Sequence, residues 1–159
     1  METNIGISTD NRKAVAFELA KLLADEYVLC TKTKKAHWNL EGADFYSKHI
    51  FFETQFGQLD AIIDKVAERI RTLGHYATGS LKQFLELTHL DEITEDGNNS
   101  TTYINELLSD HESIIIHLRE NIHRFGNEYQ DFGTSDFITC LMQEHEKMAW
   151  FLRSHLHQN

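Results

Sequence analysis

FYSKHIFFETQFGQLDAIIDKVAERIRTLG, residues 45–74, is the stretch on which the reading of this chain turns. Wound as an α-helix, it gathers Phe52, Phe56, Leu59, Ile62, Ile63, Val66, Ile70 and Leu73 on one broad apolar face, and Gly74 supplies a C′ stop. His49, Glu53, Asp60, Asp64 and Glu68 share the flank beside that face. His49 and Glu53, like Asp64 and Glu68, stand four residues apart, so each pair presents two metal-ligating side chains about one turn apart. From Glu53 to Asp64, however, the helix rises about 16 Å at ~1.5 Å per residue, far beyond metal bonds of ~2.0–2.2 Å. If both pairs hold one ion, they come from different subunits.

Upstream, the segment Asn39–Asp44 contains Gly42 and turn-favouring side chains, and it separates this helix from an earlier one that carries His37. A short turn there can bring the imidazoles of His37 and His49 together. The acidic flank also reads as a solvated stripe paired with Lys65, Arg69 and Arg71. Against that stands the cost of like charges at i, i+4, roughly 0.2–0.5 kcal/mol even on exposed helices, which a bound cation would reverse. Two histidines bracketing a turn ahead of three phased carboxylates favour the metal. The set mixes imidazole and carboxylate without thiolate, which suits Fe(II), Mn(II) or Zn(II), and a carboxylate-rich site between subunits suits iron oxidation best. An antiparallel two-fold contact would bring His37, His49 and Glu53 of one chain to Asp64 and Glu68 of another, giving two identical sites per dimer.

The remainder of the 159 residues fits a single domain, 1–159, with residues 1–11 expected as a flexible N-terminal segment. Proline is absent while 41% of residues are hydrophobic, which points to long uninterrupted helices and an all-α fold. The first helix is expected from about Arg12 to Trp38, after the capping candidates Ser8, Thr9 and Asp10. A short helix from Leu81 to Leu87 interrupts the connection to a third long helix, which starts after Asn98-Asn99-Ser100, runs as far as Phe125 and closes at Gly126. A fourth begins near Thr134 or Ser135. Four long helices with an interrupted middle connection suggest a ferritin-like four-helix bundle. Cys30 and Cys140 have no metal spacing and are expected to be buried small hydrophobes. The net charge of −10 opposes nucleic-acid binding, and neither end carries a basic tail. The absence of a secretory leader or a long apolar run leads to a cytoplasmic expectation with no membrane partner.

His37-Trp38-Asn39, Gly42, Phe45, His49, Glu53 and Asp64-Lys65-Val66-Ala67-Glu68-Arg69-Ile70, ending at Leu73-Gly74, together resemble the Dps family, small ferritin-like proteins named as DNA-binding proteins from starved cells. The resemblance implies a four-helix bundle with a short helix in the middle connection, assembled as a hollow homododecamer. It implies ferroxidase centres at two-fold interfaces, with His37, His49, Glu53, Asp64 and Glu68 as ligands and Trp38 beside them to quench oxidising equivalents. Fe(II) would be oxidised by hydrogen peroxide in preference to dioxygen and stored as ferric mineral, which prevents hydroxyl-radical formation. Zinc or manganese could occupy the same ligands. Asp131 and Asp136 fall where the family has acidic three-fold pores for iron. Without a lysine-rich extension, DNA binding is expected to be weak or absent.

The chain departs from the family pattern at two positions. Many members have aspartate where Glu53 stands, and many have an acidic residue where this chain has Ile50. Two other readings compete. Glu86-x-x-His89 and Glu120-x-x-His123 match the element used by intrachain di-iron bundles. The chain could also form an architectural or DNA-associated particle whose metal never turns over.

Overall fold

A computed structural model describes residues 3–156, and its order of elements follows from where the chain can cap and bury its helices. Helix α1, Thr9–Asn39, is 31 residues long and starts where Ser8 Oγ accepts the Asn11 amide at 3.2 Å. Helix α2, Phe45–Thr72, folds back along it after a turn that contains Gly42 at φ +119. Asp44, just ahead of α2, does not cap that helix but accepts the Ser100 hydroxyl at 2.6 Å, which fastens the turn to the start of α4. Helix α3, Leu81–Leu87, is capped by Ser80, and α4, Ser100–His123, by Asn99. Helix α5, Phe132–Ser154, starts at the cap residue Asp131. No strand occurs among the described residues.

The two hairpins, α1 with α2 and α4 with α5, pack around one core, and the connection that contains α3 crosses between them. The apolar face expected on α2 is inside: Phe52, Leu59, Ile62, Val66, Ile70 and Leu73 are almost fully buried against Leu19, Leu23, Leu29, Ile104, Leu107 and Phe125. Helix α1 is enclosed on most sides, so it also buries Arg12, Asp25, Glu26, Lys32, Thr33 and His37. No helix among the described residues is long and apolar enough to cross a membrane.

Several boundaries differ from the sequence reading. The third long helix does not close at Gly126; it widens into a π-helical turn, Arg124–Glu128, in which the Tyr129 amide donates to the carbonyl of Arg124, five residues back, at 3.1 Å. A side chain at Gly126 would crowd the Phe132 ring, which lies 3.4 Å from where a Cβ would stand. The fourth helix starts at Phe132 because Asp131, not Thr134 or Ser135, caps it. Cys140 is exposed, contrary to the buried expectation, whereas Cys30 is buried. The segment expected to be flexible over 1–11 is structured within the described residues. Thr9–Asn11 belong to α1, Arg12 donates to the Ile7 carbonyl at 2.7 Å, and Thr3 packs on Gly74; residues 1 and 2 lie outside the described range.

Gly74 ends α2 at φ +88, and a Cβ there would sit 2.3 Å from Thr3 Oγ1. Left-handed strain of about 1–3 kcal/mol plus this clash should lower the thermal midpoint of Gly74→Ala by at least ~2–4 °C. Gly79→Ala, at a site with open space, should leave it unchanged. Equal midpoints for the two variants would contradict this account of the helix end.

Candidate metal centre

The turn between α1 and α2 sets His37 and His49 face to face, with ring centroids 3.7 Å apart and planes inclined by 19°. Each ring bonds the other residue's backbone: His37 Nδ1 meets the His49 carbonyl at 2.8 Å, and His49 Nδ1 meets the His37 carbonyl at 2.8 Å. A carbonyl only accepts, so both Nδ1 atoms carry hydrogen and donate. In the neutral ring this places the lone pair on Nε2, the tautomer a metal requires. Phe45 stacks on His49 at 5.1 Å and Phe56 meets His37 edge-on at 5.3 Å, so aromatic neighbours hold both rings.

Beyond the histidines, Glu53, Asp60, Asp64 and Glu68 are exposed along the continuous helix α2. The three cations that a solvated stripe would use are engaged elsewhere. Lys65 reaches Glu144 at 3.1 Å, Arg69 donates to Thr134 at 3.0 Å and Asp131 at 3.3 Å, and Arg71 donates to the His75 carbonyl while lying over the Tyr76 ring. Among the described residues, none of the four carboxylates has an ion-pair partner. The flank is therefore an unneutralised acidic surface running away from two fixed imidazoles. The unbroken helix keeps Asp64 and Glu68 about 16 Å and more up the axis from Glu53. Around the histidines the surface is apolar: Trp38, Phe45, Tyr46 and Ile50 are all exposed, Trp38 at 66% and Tyr46 at 78%.

Other sequence candidates lie apart from this surface. Asp131 is almost fully buried, caps α5 through the Thr134 amide at 2.9 Å and pairs with Arg69, so it cannot line a pore. Asp136 is exposed near the start of α5. The intrachain Glu-x-x-His reading fails because Glu86, Glu120 and His123 are exposed and none reaches the bundle core. Glu86 instead faces Lys82 at 3.8 Å, and His89 turns to Asp25.

Sequence reading missed a polar line through the core. Glu26 on α1, His145 on α5 and His111 on α4 are fully buried, with His145 Nε2 2.8 Å from Glu26 Oε1 and the two Nδ1 atoms 2.9 Å apart. The available signal was positional, since His111 and His145 stand at three- and four-residue steps from Leu107, Ile114, Leu141 and Met148. Burial, reinforced by the neighbouring His145, holds the His111 pKa well below the usual histidine range.

Residues 18–159 match the ferritin-like domain family. A low temperature-induced protein of Nostoc sp. is 46% identical over 151 residues, covering 95% of this chain and 84% of that one. DpsC from Streptomyces coelicolor superposes with a TM-score of 0.95 at 31% identity, covering 100% of this chain and 92% of that one. The Dps protein of Vibrio cholerae, described as a member of a broad superfamily of ferritin-like diiron-carboxylate proteins, gives 0.90 at 29% identity, covering 99% and 98%.

The depressed pKa of His111 has a consequence for stability. The ring stays neutral in the fold, while the unfolded chain takes up a proton near pH ~6.5, so its contribution is present above that pH and is lost as pH falls below it. One such group gives a slope of up to ~1.4 kcal/mol per pH unit. Urea unfolding between pH 7 and pH 5 should show a shallower slope for His111→Gln than for wild type. Identical slopes would assign the titration to another group.

Proposed function

The chain belongs to the ferritin-like domain family, and within it to the Dps mini-ferritins; from this we propose that it oxidises Fe(II) at centres shared by two subunits and stores the ferric product in a hollow homododecamer. The observation that carries this reading is the pair of stacked, carbonyl-anchored histidines beside an acidic flank without cations. A second copy packed antiparallel supplies what one chain cannot, with Asp64 and Glu68 meeting His37, His49 and Glu53 across the two-fold axis. The exposed Trp38, Phe45, Tyr46 and Ile50 give that contact an apolar margin to cover.

Iron is substrate in this scheme. The imidazole nitrogens take Fe(II) without needing to lose a proton, and the carboxylates strengthen their hold as the charge rises to Fe(III). Two Fe(II) each give one electron to one hydrogen peroxide, whose O–O bond breaks, and hydrolysis of the ferric ions releases protons. Peroxide is the preferred oxidant and dioxygen the slower one, which makes the reaction protective. Zn(II) and Mn(II) compete for the same ligands. Trp38, next to His37, is placed to surrender an electron to stray oxidising equivalents. Asp136 is the one pore acid that keeps its exposure. The protein works in the cytoplasm. With a net charge of −10 per chain, DNA binding is weak or absent, and no clear gel shift of duplex DNA is expected at about 0.15 M salt.

The shared centre is tested by complementation. Native mass should read roughly twelve times the 18.5 kDa chain. Asp64→Asn and His49→Gln should each slow peroxide-driven iron oxidation by more than about tenfold, since even changes behind a ligand cost ~10–100-fold. Co-assembly of the two variants should restore about a quarter of the centres, because each mixed pair regenerates one complete site and one doubly defective site. Asp136→Asn should slow iron uptake while co-assembly behaves as before. A monomer without turnover, or variants that fail to complement, would overturn the reading.

A further inference from the structure

A second group of metal-ligating side chains lies wholly within one chain, away from the acidic flank. Asp25 on α1 is 2% exposed, and among the described residues its carboxylate hydrogen-bonds to the connection that follows α3. Oδ1 accepts the Thr88 hydroxyl at 2.7 Å and the His89 amide at 2.7 Å; Oδ2 faces His89 Nδ1 at 2.9 Å. The His89 ring then packs against His117 of α4, with centroids 4.3 Å apart. One ligand atom from each of Asp25, His89 and His117 lies within 4.8 Å of the others. The three line a groove of about 250 Å³ whose wall also carries Glu18 and Glu120. Glu120 stands three residues after His117 on the same helix, one turn along the same face.

We propose that Asp25, His89 and His117 form an intrachain divalent-metal site, of the class that takes Zn(II), clamping the crossover connection onto α1 and α4. Two imidazoles and one carboxylate without thiolate are the donor set of a borderline divalent ion with open positions. The site is largely organised before metal arrives. Oδ1 is committed to Thr88 and the His89 amide, so Oδ2 is the ligating oxygen, and its contact with His89 Nδ1 is the hydrogen bond a metal replaces, the neutral ring then carrying its proton on Nε2. The cations at the groove are already paired. Lys21 bonds Glu18 at 3.2 Å, and Arg124 bonds the Tyr129 hydroxyl at 2.9 Å and the Asn121 side chain at 3.1 Å. Glu120 stands ready as a fourth ligand or as the support of a bound water. Because all three ligands come from one chain, this site does not depend on the subunit contact required by the iron centre.

Metal-stripped protein in the Asp64→Asn background, where the shared centre is disabled, should bind one Zn(II) per chain by calorimetry, and Co(II) should give the intense visible bands of a four- or five-coordinate ion. His117→Gln and His89→Gln, each with normal circular dichroism, should weaken this binding by at least about tenfold and abolish the Co(II) bands. In the otherwise wild-type chain, His117→Gln should leave peroxide-driven iron oxidation intact while removing one of two Co(II) classes. Zn(II) stoichiometry and Co(II) spectra unchanged by both histidine substitutions would overturn the proposal, as would no binding in the Asp64→Asn background. Either result would leave Asp25 as a tie between α1 and the connection only.

Discussion

Helix α1 is enclosed by its neighbours, and the charged side chains it buries must each find a partner there. Burial of an unpartnered charge is among the most costly things a fold can do. Apart from Thr33, whose hydroxyl donates to the Leu29 carbonyl of the same helix, each buried polar residue of α1 is met by a different part of the chain. Arg12 donates to the Ile7 carbonyl, Asp25 holds Thr88 and His89, and Glu26 takes His145 of α5. Lys32 meets Asp110 of α4 at 2.6 Å and the Asp91 carbonyl at 2.8 Å, and His37 meets His49 of α2. Burial pushes the Asp110 carboxyl above its usual range, and the hydrogen bond and charge of Lys32 work against that rise. The connection, both hairpins and the N-terminal segment are thus registered against a single helix.

The histidine pair is the last of these ties and the one with chemistry left over. Bonding each Nδ1 to a carbonyl uses one nitrogen of each ring for structure and frees the other. The same device that closes the α1–α2 turn therefore leaves Nε2 of each ring as the nitrogen available to a metal. Beside them the flank of α2 has no counter-cations because Lys65, Arg69 and Arg71 are drawn toward α5, the Asp131 cap and the α2 terminus. Apolar surface at the turn and uncompensated charge along the flank are both costly for a lone chain, and the proposed second copy with its iron would relieve both.

The order of elements, the apolar face of α2, the short helix Leu81–Leu87 and the stop at Gly74 were legible because each rests on spacing within one segment. Less was legible where a residue's role is set by a distant partner. Asp131 read as a pore acid, yet within the chain it is a buried cap held by Arg69, sixty-two residues earlier. His89 read as half of a Glu-x-x-His element, but Asp25 claims it from the opposite direction. Gly126 read as a helix end, whereas the chain keeps winding through it in a wider turn, Arg124–Glu128, with Phe125 buried in the core.

Taken alone, the sequence determined that the chain is an all-α bundle and that five candidate ligands cannot converge within it, because helical periodicity and rise per residue are local properties of the backbone. The tertiary structure decided which imidazole nitrogens are free, which carboxylates lack cations, and that Asp25, His89 and His117 share one groove. Those outcomes depend on contacts between residues far apart in the chain, and no periodicity encodes which of several buried polar groups will find one another.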